Sequence, residues 1–140
     1  MQQALTLAAR GKLSVSPNPM VGCIIVKDGA IIAEGWHSRA GNAHAEVYAL
    51  QQAGDKAKNS TVYVTLEPCC MCAGAINKAR LRNIFFGAYN QLEGCVSSKY
   101  NLCNDPTFNH QSGVKGGILQ DECSFLLHSF FKDNSSNLVI

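Results

Sequence analysis

The sequence predicts an α/β fold three layers deep, with helices on both faces of a mixed, roughly five-stranded sheet. Three observations carry that prediction. Short apolar runs alternate with stretches of helical spacing. The first two runs flank a dipeptide suited to a hairpin turn, and the later runs are separated by helical segments, so right-handed crossovers make them parallel. At 140 residues, 46% of them hydrophobic and 16% charged, the chain can bury one core but is too short for two ordinary domains. We expect one domain over residues 1–132 and a polar tail over 133–140.

Ala4, Leu5, Ala8 and Ala9 recur at one-turn spacing, which predicts a short amphipathic helix ending at Gly11. A Pro-rich turn, SPNP, follows. Val21–Lys27 and Ala30–Glu34 are apolar runs separated by Asp28-Gly29, the signature of a tight hairpin. From His44 the segment HAEVYALQQAG changes to helical spacing and stops at Gly54. Thr61–Leu66 alternates β-branched and aromatic residues as a strand does, Pro68 ends it, and CMCAGAINKAR returns to helical composition. Asn83–Ala88 reads as a buried strand, Val114–Leu119 as a weaker one, and Glu122–Phe131 as a closing helix with a wide apolar face. Between them, Tyr89–Gly113 lacks periodicity and reads as a long loop, or one containing only short helices, of the kind that often closes over a ligand.

The net charge of +2 suits a phosphate-bearing substrate but is far below that of a purely electrostatic nucleic-acid binder. No apolar run is long enough to span a membrane, and Gln2 and Gln3 do not open a leader segment, so a cytoplasmic protein is expected. Seven cysteines form an odd set, and three crowd into Cys69, Cys70 and Cys72; this is not a disulfide framework, and it points to metal. Cys23, Cys95, Cys103 and Cys123 read as small buried hydrophobes, and Cys70 is assigned to packing.

His44-Ala45-Glu46 and Pro68-Cys69-Cys70-Met71-Cys72 together match the H-x-E and P-C-x-x-C signature of zinc nucleobase deaminases. Ligand chemistry gives the same answer. Two thiolates at i and i+3 face one metal from the first turn of a helix, whose positive end favours their ionised form. With one imidazole, His44, Cys69 and Cys72 make three ligands and leave a fourth tetrahedral position open, as in catalytic rather than structural zinc sites. His44 and Glu46 would diverge in mid-helix, so they must lie at a helix entrance, where the longer carboxylate is placed to move protons. No second C-x-x-C or H-x-H pair is present to complete a structural finger.

These residues lie within two family resemblances. Residues 62–132 (VYVTLEPCCMCAGAINKARLRNIFFGAYN, then FNHQSGVKGGILQDECSFLLHSFFK) resemble bacterial tRNA-specific adenosine deaminases, of the cytidine and deoxycytidylate deaminase superfamily. Residues 4–67, with SPNPMVGCIIVKDG and GWHSRAGNAHAE, look more like the deaminase domain of the bifunctional riboflavin-biosynthesis enzyme. That enzyme has a longer insertion between its zinc cysteines and continues into a reductase domain. Here only Cys70 and Met71 intervene, and the chain is expected to stop short of such a domain, which favours the adenosine deaminase reading.

The resemblance implies a cytidine-deaminase-like fold, one zinc ion per subunit, a homodimer, and conversion of adenosine to inosine at the wobble position of a tRNA anticodon loop. It also implies substrate contacts. His37 stands where the tRNA family usually has asparagine and the riboflavin-type family has histidine. Asn18 looks like a riboflavin-type pocket residue or a turn former between two prolines. Asn90 replaces a usual aspartate, and Phe131 lies in the closing helix where an aromatic is able to stack on an RNA base. Lys78, Arg80 and Arg82 are placed to meet phosphates or simply to balance a helix end. Two further functions stay open: deamination of a small pyrimidine or purine compound, and a non-catalytic, zinc-stabilised RNA-binding module.

Overall fold

Asp28 and Gly29 take φ values of 53° and 79°, the doubly positive pair that a twisted two-residue hairpin needs. They join β1 (Gly22–Lys27) to β2 (Ala30–Trp36), which pair antiparallel with a bulge between Ile25 and Val26. The structure is a computed structural model and describes residues 1–136; part of the expected tail, 137–140, lies outside the described residues. β1 also pairs antiparallel with β3 (Thr61–Leu66). β3 then pairs in parallel with β4 (Asn83–Ala88), and β4 with β5 (Gly113–Lys115). The sheet therefore has five strands in the order β2-β1-β3-β4-β5, antiparallel at one end and parallel at the other.

Among the described residues four α-helices cover it: α1 (Gln2–Ala9), α2 (Ala45–Ala53), α3 (Cys70–Ala79) and α4 (Gln120–Ser136). On one face Ala45, Ala49, Ala73 and Ile76 from α2 and α3 pack on Cys23, Ile25, Val62, Val64, Ile84 and Phe86 of the central strands. On the other, Ala8 of α1 meets Phe130 of α4, and Cys123 and Leu127 of α4 pack against Ala88 and Leu5. The three-layer expectation holds, because alternate residues of fully covered central strands must each find a helix. Among the described residues no helix is long and apolar enough to cross a membrane.

Three elements differ from the sequence reading. β2 runs two residues further, to Trp36, because its pairing with β1 continues to Gly22. The strand expected over Val114–Leu119 is only Gly113–Lys115: Gly117 and Leu119 take positive φ and turn the chain off the sheet edge towards α4. The closing helix extends past Phe131 to Ser136, into the segment expected to be tail.

Close packing also fixes a glycine. A Cβ at Gly22 would lie 1.9 Å from the Ala4 carbonyl oxygen and 2.6 Å from the Ala8 nitrogen, so α1 sits directly on the strand backbone. Gly22→Ala should therefore lower unfolding stability by about 1–3 kcal/mol, an overpacking effect. Denaturant unfolding checks this, and an unchanged midpoint contradicts it.

Candidate active site

Two helix starts meet on one face of the sheet. His44 is the N-cap of α2, in extended conformation (φ −69°, ψ 159°), and Cys69 is the N-cap of α3 (φ −74°, ψ 178°). Glu46 is thus the second residue of α2, at the helix entrance where the H-x-E spacing required it. Cys72 lies in the first turn of α3, one turn from Cys69. The His44 Nδ1 is 3.6 Å from the Cys69 sulfur and 3.5 Å from the Cys72 sulfur, and the three ligand atoms lie within 4.8 Å of one another.

That spacing tests whether zinc fits. Zn–N of about 2.05 Å and Zn–S of about 2.3 Å at a tetrahedral angle separate nitrogen from sulfur by about 3.6 Å. The donor set matches this separation, and its chemistry, two thiolates and an imidazole, is that of zinc with one position open. The imidazole must present an unprotonated Nδ1, which places its proton on Nε2.

The charges are coupled. The hydrogen bond from the Cys72 thiol, assisted by backbone amides at the start of α3 and by His44, holds Cys69 down at about 5. Cys72 is pushed far up, first by donating to Cys69 and then by burial. Glu46 is 4% exposed; burial pushes its carboxyl up to about 6, and the Cys69 charge adds to that push.

A cavity of about 770 Å3 opens beside these groups, and Asn18, His37, Glu46 and Asn90 all line it with His44 and Cys69. His37, 3% exposed, donates from Nδ1 to the Ala43 carbonyl at 3.0 Å and accepts at Nε2 from the Asn18 amide at 3.1 Å. Both ring nitrogens are thereby committed, so His37 orients Asn18 and leaves the Asn18 carbonyl oxygen and second N–H as the polar atoms of that wall. The Asn90 carboxamide oxygen accepts from the amides of Leu92 (3.2 Å) and Glu93 (3.1 Å), closing a turn, which leaves its amide nitrogen to face a ligand.

Phe131 stands apart. It is 41% exposed, outside the residues lining the cavity, while its neighbour Phe130 is core at 2%. Cys70 is exposed and lines the cavity, so the packing role expected for it is not found: position 70 faces outward on the first turn of α3. Cys23, Cys95, Cys103 and Cys123 are buried as expected, though Cys95 also touches the cavity. Lys78, Arg80 and Arg82 lie at the far end of α3, exposed, away from this cavity. The sequence reading passed over Glu67, a buried carboxylate immediately before Pro68-Cys69, and over the rim formed by Leu92, Lys99 and Tyr100. A charged residue at the end of an apolar strand was the available signal for Glu67.

Comparison with known proteins places this geometry. Residues 1–88 match the family model for the cytidine and deoxycytidylate deaminase zinc-binding region. The chain is 38% identical over 141 aligned residues to the tRNA-specific adenosine deaminase of Streptococcus pyogenes serotype M1, covering 94% of this chain and 81% of that protein. It is 64% identical over 69 residues to riboflavin biosynthesis protein RibD of Escherichia coli strain K12, covering 49% of this chain and only 19% of that protein. A solved structure from work on A-to-I editing by tRNA:A34 deaminases superposes with a TM-score of 0.78 at 31% identity, covering 91% of this chain and 97% of that one.

The raised Glu46 carboxyl makes a pH prediction. From 4.5 in the unfolded chain to about 6 in the fold, the native state binds the extra proton, so stability is lost as pH rises through that window. Zinc-stripped protein should lose about 2 kcal/mol in all, relative to Glu46→Gln, as pH rises from well below 4.5 to well above 6. Parallel stability curves for the two, measured by denaturant unfolding in a chelator, contradict the assignment.

Proposed function

The chain belongs to the cytidine and deoxycytidylate deaminase zinc-binding family, and we propose that it deaminates adenosine to inosine at the wobble position of a tRNA anticodon loop. The observation that carries the chemistry is the clustering of His44, Cys69 and Cys72 as a three-donor set beside a cavity that His44, Cys69 and the buried Glu46 line. The similarity to a tRNA-specific adenosine deaminase over 94% of this chain supports the choice of substrate.

Zinc bound by His44, Cys69 and Cys72 supplies a Lewis acid that makes water nucleophilic near neutral pH. The side chains do the rest. Glu46 takes a proton from the attacking water as its oxygen bonds to the ring carbon carrying the exocyclic amine. The carboxyl passes that proton to the adjacent ring nitrogen, then takes the remaining hydroxyl proton and delivers it to the amine nitrogen; the carbon–nitrogen bond breaks, and ammonia leaves as the carbonyl forms. Burial of this carboxyl favours its protonated form, which suits a group that must hold a proton between the two transfers. Asn18, fixed by His37, and the amide nitrogen of Asn90 are placed to meet the polar edge of the base. A homodimer and a cytoplasmic location belong to the same proposal.

The Asn18–His37 pair also favours a second reading, deamination of a small pyrimidine or purine compound, because histidine at this place is the riboflavin-type residue. One experiment separates the two. Zinc-loaded protein is incubated with an anticodon stem-loop carrying adenosine at the wobble position, and separately with a panel of free pyrimidines and purines. We expect A to read as G in the sequenced stem-loop, no ammonia from the panel, and a loss of about 100- to 10,000-fold in Glu46→Gln with zinc retained. No conversion by the fully loaded protein contradicts the RNA reading, and ammonia from the panel selects the other.

A further inference from the structure

Glu67 takes no part in the chemistry above, yet it is 2% exposed and two residues from Cys69. Its carboxylate turns from the metal donors into the loop that follows β4. Oε1 accepts from the Asn90 amide at 3.2 Å and, at close range, from the Ser98 hydroxyl. Oε2 accepts from three successive amides, Val96 at 3.4 Å, Ser97 at 2.9 Å and Ser98 at 2.8 Å. Consecutive amides converging on one oxygen form an anion nest, and here the anion is a side chain of the same protein. Five donors satisfy a charge whose burial would otherwise be prohibitive.

The loop it grips forms part of the cavity lining, carrying Asn90, Leu92, Glu93, Lys99 and Tyr100. This wall has no ladder or helix of its own over residues 89–100. One further tie, from the Cys95 amide to the Pro68 carbonyl at 2.9 Å, reaches the same strand end. Space around the carboxylate is exact: a Cβ at Gly94 would lie 2.3 Å from the Glu67 carboxyl carbon and 2.4 Å from Oε2. Glu67 therefore couples the start of α3, which carries both sulfurs, to both ends of the substrate-facing turn.

We propose that Glu67 is a positioning residue that sets the distance between the metal donors and the Asn90–Tyr100 wall, and so governs substrate binding rather than the chemical step. Its kinetic consequence rests on the deaminase reading above; its structural consequence does not. In Glu67→Gln the amide oxygen still serves the three amides of 96–98 and the NH2 is able to donate to the Ser98 hydroxyl, but the Asn90 amide loses its acceptor. Glu67→Leu removes every acceptor. Loosening should therefore be graded, mild in the first and severe in the second, and should begin at Asn90.

The test is amide hydrogen exchange of the zinc-loaded variants, with kinetics on the anticodon stem-loop. Glu67→Gln should keep one zinc per chain and exchange faster at Asn90 by about tenfold, with α2 and α3 unchanged. Its KM should rise about tenfold while kcat stays within about threefold. Should Glu67→Leu fail to fold, Ser98→Ala removes one donor from the loop side and should give a smaller shift in the same residues. Unchanged exchange at Asn90, a rise spread equally over α2 and α3, or a fall in kcat at constant KM each overturn the proposal. If the wild type leaves the stem-loop untouched, the RNA reading fails and the exchange pattern still decides the role of Glu67.

Discussion

Everything in this molecule depends on two helix starts being held close enough for one imidazole nitrogen and two sulfurs to share a point between them. The separations of 3.5 and 3.6 Å are what a tetrahedral zinc requires. Neither helix is long, and neither would hold that position alone. The parallel β3–β4 pair and the alanine-rich contacts of α2 and α3 on the sheet fix them. The same convergence buries Glu46 and raises its carboxyl.

Most of the fold was legible because its signals are local. Asp28-Gly29 specified the hairpin, β-branched residues in Thr61–Leu66 specified a strand, and the wide apolar face of Glu122–Phe131 specified a covered closing helix. The errors have local causes too. Ile118 and Leu119 extended an apolar run that Gly116-Gly117 had already turned, and polar residues 133–136 do not stop a helix whose preceding turns are anchored.

The candidate metal donors were legible for a different reason: i, i+3 thiolates and H-x-E have geometric meaning before any fold is known. On the rest of the cavity, Asn18, His37 and Asn90 were reached through resemblance, while the partners that hold them, and Glu67, were not. Asn90 serves a turn through its oxygen, His37 spends both nitrogens on Ala43 and Asn18, and Glu67 reaches about thirty residues along the chain, as its bond to Ser98 shows. Such contacts join residues that no periodicity connects. Phe131 illustrates the converse: a position chosen by resemblance lies outside this cavity.

This division explains why the reaction class is fixed more firmly than the substrate. The donors and Glu46 belong to short segments shared by both family resemblances, while Asn18, His37 and Asn90, which line the cavity beside them, come from three separate loops. The open coordination position is therefore the central claim. X-ray absorption at the zinc edge, on protein loaded with one ion per chain, measures it most directly. The account predicts two sulfur neighbours, one imidazole nitrogen and one light oxygen donor; three or four sulfurs, drawing in Cys70 or Cys95, would contradict it.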